Sequence, residues 1–142
     1  MIAAAGLLLA ATSPVVAEAP AWTYGHIVGL PQAVLSSADP ERIDVMLTCV
    51  GRHTLLVEVT SSIPVISGTA SLTGDGVSLV ARYDRQPYPD GPYLRAAFPA
   101  PPDVRQAVVG APTLTFRLAG AGESVIPGAD PAVRRLVQEC LA

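Results

Sequence analysis

Lysine is absent from this chain. All nine basic residues are arginines, set against twelve acidic residues, for a net charge of −3 over 142 residues. So little positive charge excludes the electrostatic footprint with which a protein grips nucleic acid. Charged residues make up only 15% and half of the chain is hydrophobic, a balance that excludes disorder and predicts a packed core. The length suits one ordinary domain. Histidine is scarce too: His26 and His53 are the only ordinary proton shuttles. No G-x-S-x-G elbow, H-E-x-x-H helix, P-loop or dinucleotide fingerprint occurs. Acids are nowhere spaced around a glycine as in a calcium loop. Gly74-Asp75-Gly76 lacks an acidic partner at a diagnostic spacing, and a hairpin turn explains it. No cofactor or metal is expected.

The longest apolar run sits at the N-terminus, "MIAAAGLLLAATSPVVAEAPAW", and covers residues 2–11. A membrane span needs about 20 residues. The run fits the apolar segment of a secretory signal peptide, with small-residue cleavage sites after Ala17 or Ala19. Cleavage after Ala17 is preferred, because the later cut would place Pro20 directly behind it. Residues 1–17 are thus expected to leave, and 18–142 to form a single exported domain without a stable membrane span. The usual positive charge before the apolar run is missing, since no basic residue precedes Arg42; an initiator upstream of Met1 would supply it. The alternative reading is a buried N-terminal helix. No cysteine lies near the cleavage site, which argues against a lipid anchor.

Cysteine is nearly absent, and the two present, Cys49 and Cys140, are well placed. In "RIDVMLTCV", Ile43, Val45, Leu47 and Cys49 alternate with polar or exposed positions, the period of a half-buried strand. In "DPAVRRLVQECLA", Val133, Leu136, Val137, Cys140 and Leu141 form one helical stripe. Both cysteines are therefore expected to face the core, and an exported protein usually pairs such residues. A Cys49–Cys140 disulfide would staple the last helix to the sheet. Two buried free thiols, or a metal site, are the alternatives; His26 and His53 lack the paired spacing of a zinc motif.

The rest of the chain reads as strands. Residues 22–30 suggest one short strand, and "PQAVLSSADPER" a connection. The strand ending near Cys49, a Gly51-Arg52 link and "HTLLVEVTS" make a hairpin. A second hairpin turns at Asp75-Gly76, with arms over 66–73 and 77–83. Pro89-Asp90-Gly91 marks another turn before "YLRAAF". "PAPPDVRQAVVG" suggests a short helix capped by Gly110, "PTLTFRLAG" a half-buried strand and "ESVIPG" a short extended piece. Asp130 can cap the last helix, with Pro131 in its first turn. Short links favour antiparallel neighbours. The expected fold is α+β: a mostly antiparallel β-sandwich or partly open barrel with the C-terminal helix packed on it.

Two groupings could carry function. Tyr83, Arg85, Tyr88, Tyr93 and Arg95 gather three of the four tyrosines with two arginines around a proline-rich turn. Tyr and Arg are the side chains that carry contact energy at protein surfaces. The bland alternative is a tyrosine-rich strand edge packing over its own turn. His53 beside Arg52 reads as an exposed hairpin residue; as a general base it would need Asp84 or Glu58 to orient it. No catalytic residue is assigned.

Trp22, Pro31, Ala33, Cys49 and the closing "SVIPGADPAVRRLVQEC" together resemble a group of small exported two-cysteine proteins of alphaproteobacteria, common in sphingomonads. The likeness rests on the two ends of the chain; the middle, including "RQPYPDGPY", is longer than in that group. The resemblance implies export and the Cys49–Cys140 pairing, and brings no activity with it. The expected role is a non-enzymatic periplasmic or secreted module, binding a protein or small-molecule partner in the envelope. A small hydrolase using His53 with an acid, or an inhibitory or accessory subunit, are the alternatives.

Overall fold

The computed structural model describes residues 21–36, 45–60, 67–88 and 91–142. The segment expected to act as a signal peptide lies outside them. Among the described residues nine strands run in chain order: β1 (Ala21–Ile27), β2 (Leu30–Ser36), β3 (Val45–Cys49), β4 (Thr54–Thr60), β5 (Ser67–Gly74), β6 (Val77–Tyr88), β7 (Gly91–Pro99), β8 (Leu114–Leu118) and β9 (Gly122–Ile126). Two helices complete the described residues, α1 (Pro102–Gly110) and α2 (Pro131–Leu141).

All nine strands belong to one sheet, ordered β1-β2-β3-β4-β7-β6-β5-β8-β9, and every pairing is antiparallel. The sheet curls into an open half-barrel, and α2 lies across β1 to β4. The α+β class, the antiparallel pairing and the packed C-terminal helix are as expected. The two facing sheets of a sandwich are not seen among the described residues. Short connections keep chain neighbours beside one another in a single layer, and strand twist curls that layer. The helix then occupies the hollow that a second sheet would fill.

Alternation along the strands sets the two faces. Val45 and Leu47, Leu55, Val57 and Val59, Leu94, Ala96 and Phe98, and Leu114, Phe116 and Leu118 are all buried. Phe98 and Phe116 meet edge to face, centroids 5.9 Å apart at 90°, the favourable quadrupole geometry. In α2, Val133, Leu136, Val137, Cys140 and Leu141 are buried. The helix starts where the sequence indicates: Asp130 Oδ1 accepts from the N–H groups of Ala132 at 2.9 Å and Val133 at 3.4 Å.

Cys49 at the end of β3 and Cys140 in α2 form a disulfide, with Cα atoms 5.5 Å apart and a sequence separation of 91. By loop-closure entropy such a cross-link is worth about 4–5 kcal/mol. That is comparable to the net stability of a small domain.

Three local readings change. Residues 22–30 are not one strand. The chain reverses at Val28-Gly29, and Leu30 together with residues 31–36 of the expected connection forms β2. His53 does not open a strand; it closes the turn at φ 59°, and β4 begins at Thr54. Gly110 is not a left-handed cap: α1 ends on an extended Ala111, whose N–H reaches the Val108 carbonyl at 3.3 Å.

Candidate functional site

Of the five Tyr and Arg residues, the four whose side chains are described divide between the two faces of the sheet. Tyr83 faces inward, 1% exposed, and its hydroxyl donates to the Ala119 carbonyl at 2.6 Å. Its ring packs so closely on Gly68 that a Cβ there would lie 2.7 Å from it. Arg85 is half-buried two residues further along β6 and pairs in register with Leu94. Tyr88 closes the β6–β7 ladder opposite Gly91; its side chain, with Pro89 and Asp90 of the expected turn, lies outside what is described. Tyr93 and Arg95 face the other way, because Leu94 and Ala96 between and beside them are core residues.

That outer face carries a compact polar patch across three strands. In register, Glu58 of β4 meets Arg95 of β7, and Arg95 meets Asp84 of β6. One step along, Thr60 meets Tyr93, and Tyr93 meets Gln86. The Arg95 guanidinium donates twice to Glu58 Oε2, at 3.2 Å from Nε and 3.1 Å from Nη2. Glu58 is only 8% exposed, so this ion pair is shielded well beyond an ordinary surface pair. Gln86 donates its amide to Asp84. Sequence reading found Tyr93 and Arg95; it did not join Glu58, Asp84 and Gln86 to them. The β4–β7 pairing is non-sequential, so no local signal brings Glu58 to Arg95.

A second cluster ties β1 to α2. The Tyr24 hydroxyl donates to Glu139 Oε2. Arg135 reaches the other Glu139 oxygen at 3.2 Å and lies 4.0 Å above the Tyr24 ring centroid. His26 stands edge-on to Tyr24 at 5.5 Å between centroids. The Tyr24 hydrogen bond, assisted by Arg135, holds the Glu139 carboxyl below its ordinary pKa. The same bond, with some loss of hydration, pushes the Tyr24 hydroxyl above its ordinary value. Both shifts lead away from neutrality, opposite to what a proton-transferring pair requires. The spacing of Arg135 and Glu139, one helical turn apart, was legible in the sequence. Tyr24 as their partner was not.

His53 stands apart from both clusters. Its carbonyl accepts from Ala100 N–H at 2.8 Å, and its Nδ1 is buried without a hydrogen-bond partner among the described residues. Glu58 lies five residues further along, about 17 Å by strand rise, and is held by Arg95 on the outer face. Asp84 is a further two strands away, beyond β7. The structure does not bring His53 to either acid. Among the described residues, no three of His, Cys, Asp and Glu converge on one point. No helix among them is long and apolar enough to cross a membrane.

No protein family, curated protein or solved structure matches the chain.

Proposed function

We propose that this chain is a non-enzymatic binding or envelope-associated module of an oxidising compartment, the periplasm or the secreted space. The observation that carries this reading is the outer-face patch of Tyr93, Arg95, Glu58, Asp84 and Gln86. It sits on adjacent strands whose opposite faces are anchored in the core, so its geometry is fixed before any partner arrives, which lowers the cost of binding. A tyrosine and a charge-paired arginine side by side suit a polar protein or small-molecule partner. The Cys49–Cys140 disulfide, the apolar N-terminal run followed by a cleavage site after Ala17 and the likeness to exported two-cysteine proteins support the compartment. Residues 18–142 are then the mature domain.

The test is capture from periplasmic extract with the oxidised chain and two variants. Tyr93→Ala and Gln86→Ala remove patch side chains without exposing core. Val125→Ala changes an exposed residue at the far side of the sheet, 62% exposed, and serves as control. A partner retained by wild type and Val125→Ala and lost with the patch variants supports the reading. An identical partner set for all four proteins contradicts it.

A further inference from the structure

Among the described residues the sheet is open, with β1 at one edge and β9 at the other, and the two edges are treated differently. The β9 edge is five residues long, carries Glu123, and runs directly into Pro127. Short length, charge and proline are the usual guards against strand-to-strand association. The β1 edge, AWTYGHI, is seven residues long and contains no Asp, Glu, Lys, Arg or Pro. Beside it stands an uncovered apolar tip, with Ile27 48%, Val28 97% and Leu30 39% exposed.

The direction of the free backbone groups follows from the hairpin. Val28 and Gly29 both have positive φ, 49° and 79°, which defines a two-residue primed turn closed by a hydrogen-bonded pair. Ile27 and Leu30 are that pair, and the register then runs Gly25 to Gln32 and Thr23 to Val34. Bonded pairs alternate with non-bonded ones in an antiparallel ladder. Trp22, Tyr24 and His26 therefore occupy the non-bonded sites, and their N–H and C=O groups point out of the sheet. Pro31, which has no N–H to give, sits opposite His26 at one such site, as this parity requires.

We infer that β1 pairs antiparallel with β1 of a second copy, about a two-fold axis through Tyr24. The inference does not rest on the binding role proposed above, which uses another part of the sheet. Three outward sites centred on Tyr24 are self-complementary: Tyr24 meets Tyr24, and Trp22 meets His26 in both directions. Each bonded pair exchanges two hydrogen bonds, giving about six across the axis. On the outer face Thr23 falls opposite Gly25, and Ala21 opposite Ile27, so each larger side chain meets a small one. No like charges are set opposite along the strand. Tyr24 sits on the axis, so its intrachain partners Glu139 and Arg135 from both copies lie beside it. An isologous two-fold contact of this kind closes on itself and does not grow into a fibre. A seven-residue edge with its tip is small beside the ~1,000 Å² of a stable interface, so the dimer is expected to be concentration-dependent.

The test is sedimentation equilibrium of the oxidised chain across a concentration series, with two variants. His26→Pro deletes an outward donor and leaves the β1–β2 ladder intact. Gly25→Lys places a charge on the edge where a new Cβ would meet nothing within 4 Å. Circular dichroism and the intact disulfide check that each variant folds. Wild type is expected to dimerise reversibly, and both variants to weaken that by about tenfold or more, from two lost hydrogen bonds, one per copy, or two inserted charges. The register is read by mixing Thr23→Cys with Gly25→Cys. No native cysteine is free, so a cross-link richer in the mixed pair than in either variant alone supports it. A wild type that stays monomeric at its highest soluble concentration overturns the inference, as does a dimer that survives both variants. Slow exchange of the Trp22, Tyr24 and His26 amides in a monomer also overturns it, because another segment of the chain then holds the edge.

Discussion

Val28 is a β-branched residue held at φ 49°, in a backbone region that costs such a side chain about 1–2 kcal/mol. Asp75 occupies the equivalent turn position at φ 52°, followed by Gly76 at 79°. The two turns share one geometry, but only Asp-Gly is written in residues that favour it. That is why the β5–β6 reversal was legible and the β1–β2 reversal, hidden in the apolar string "GHIVGL", was not. Val28→Asn is expected to raise stability by roughly 1 kcal/mol, read as a shift in the denaturant midpoint at constant slope; an unchanged or lower midpoint would show that the strain is not there. Gly68 makes the opposite case. Its missing Cβ leaves the room that the Tyr83 ring occupies. Gly68→Ala is expected to cost about 1–3 kcal/mol by overpacking, and a neutral result in the same unfolding experiment would mean that Tyr83 moves freely.

At the scale of elements, α2 is fixed to the sheet twice, by the Cys49–Cys140 disulfide and by the Tyr24–Glu139–Arg135 cluster. Removing the first with Cys49→Ala and Cys140→Ala together is expected to cost up to about 4–5 kcal/mol. Thermal unfolding with and without reductant measures the same term. The second link depends on pH at both ends. The Glu139 carboxyl is held below its ordinary pKa, so its contribution is present above the unfolded value and is lost as pH falls through the folded one. Tyr24 is pushed above its ordinary value, so its contribution is present below the unfolded value and is lost as pH rises through the folded one. Amide protection in β1, taken relative to the intrinsic exchange rate at each pH, is therefore expected to fall at both extremes and to stay flat between them. Tyr24→Phe should remove both responses; a pH profile unaltered by that change would contradict the assignment. The stripe and cap of α2 could be read from Asp130 to Leu141, since both are local. Its docking site on β1 could not, because it joins residues more than a hundred positions apart.

For the whole molecule, periodicity identified most of the strands and the inward face of each, including the positions of Cys49 and Cys140. It did not give the strand order, in which β4 pairs with β7 and β5 with β8. Those non-local pairings decide that the sheet is one curled layer, and they assemble the Glu58–Arg95–Asp84 row. Tyr83 and Arg95 fall in one sequence grouping, yet one fills the core and the other lies on the outer face, because Tyr83 is in phase with buried Leu79 and Arg95 out of phase with buried Leu94 and Ala96. One disulfide pins the half-barrel, and we propose that it is exported and works by contact. Peptide mass mapping under non-reducing conditions, on the chain recovered from separated periplasmic and cytoplasmic fractions of expressing cells, tests that most directly. It is expected to find an N-terminus at Glu18 and a peptide pair linked through Cys49 and Cys140. A chain retained in the cytoplasm with residues 1–17 intact and both thiols free would contradict it.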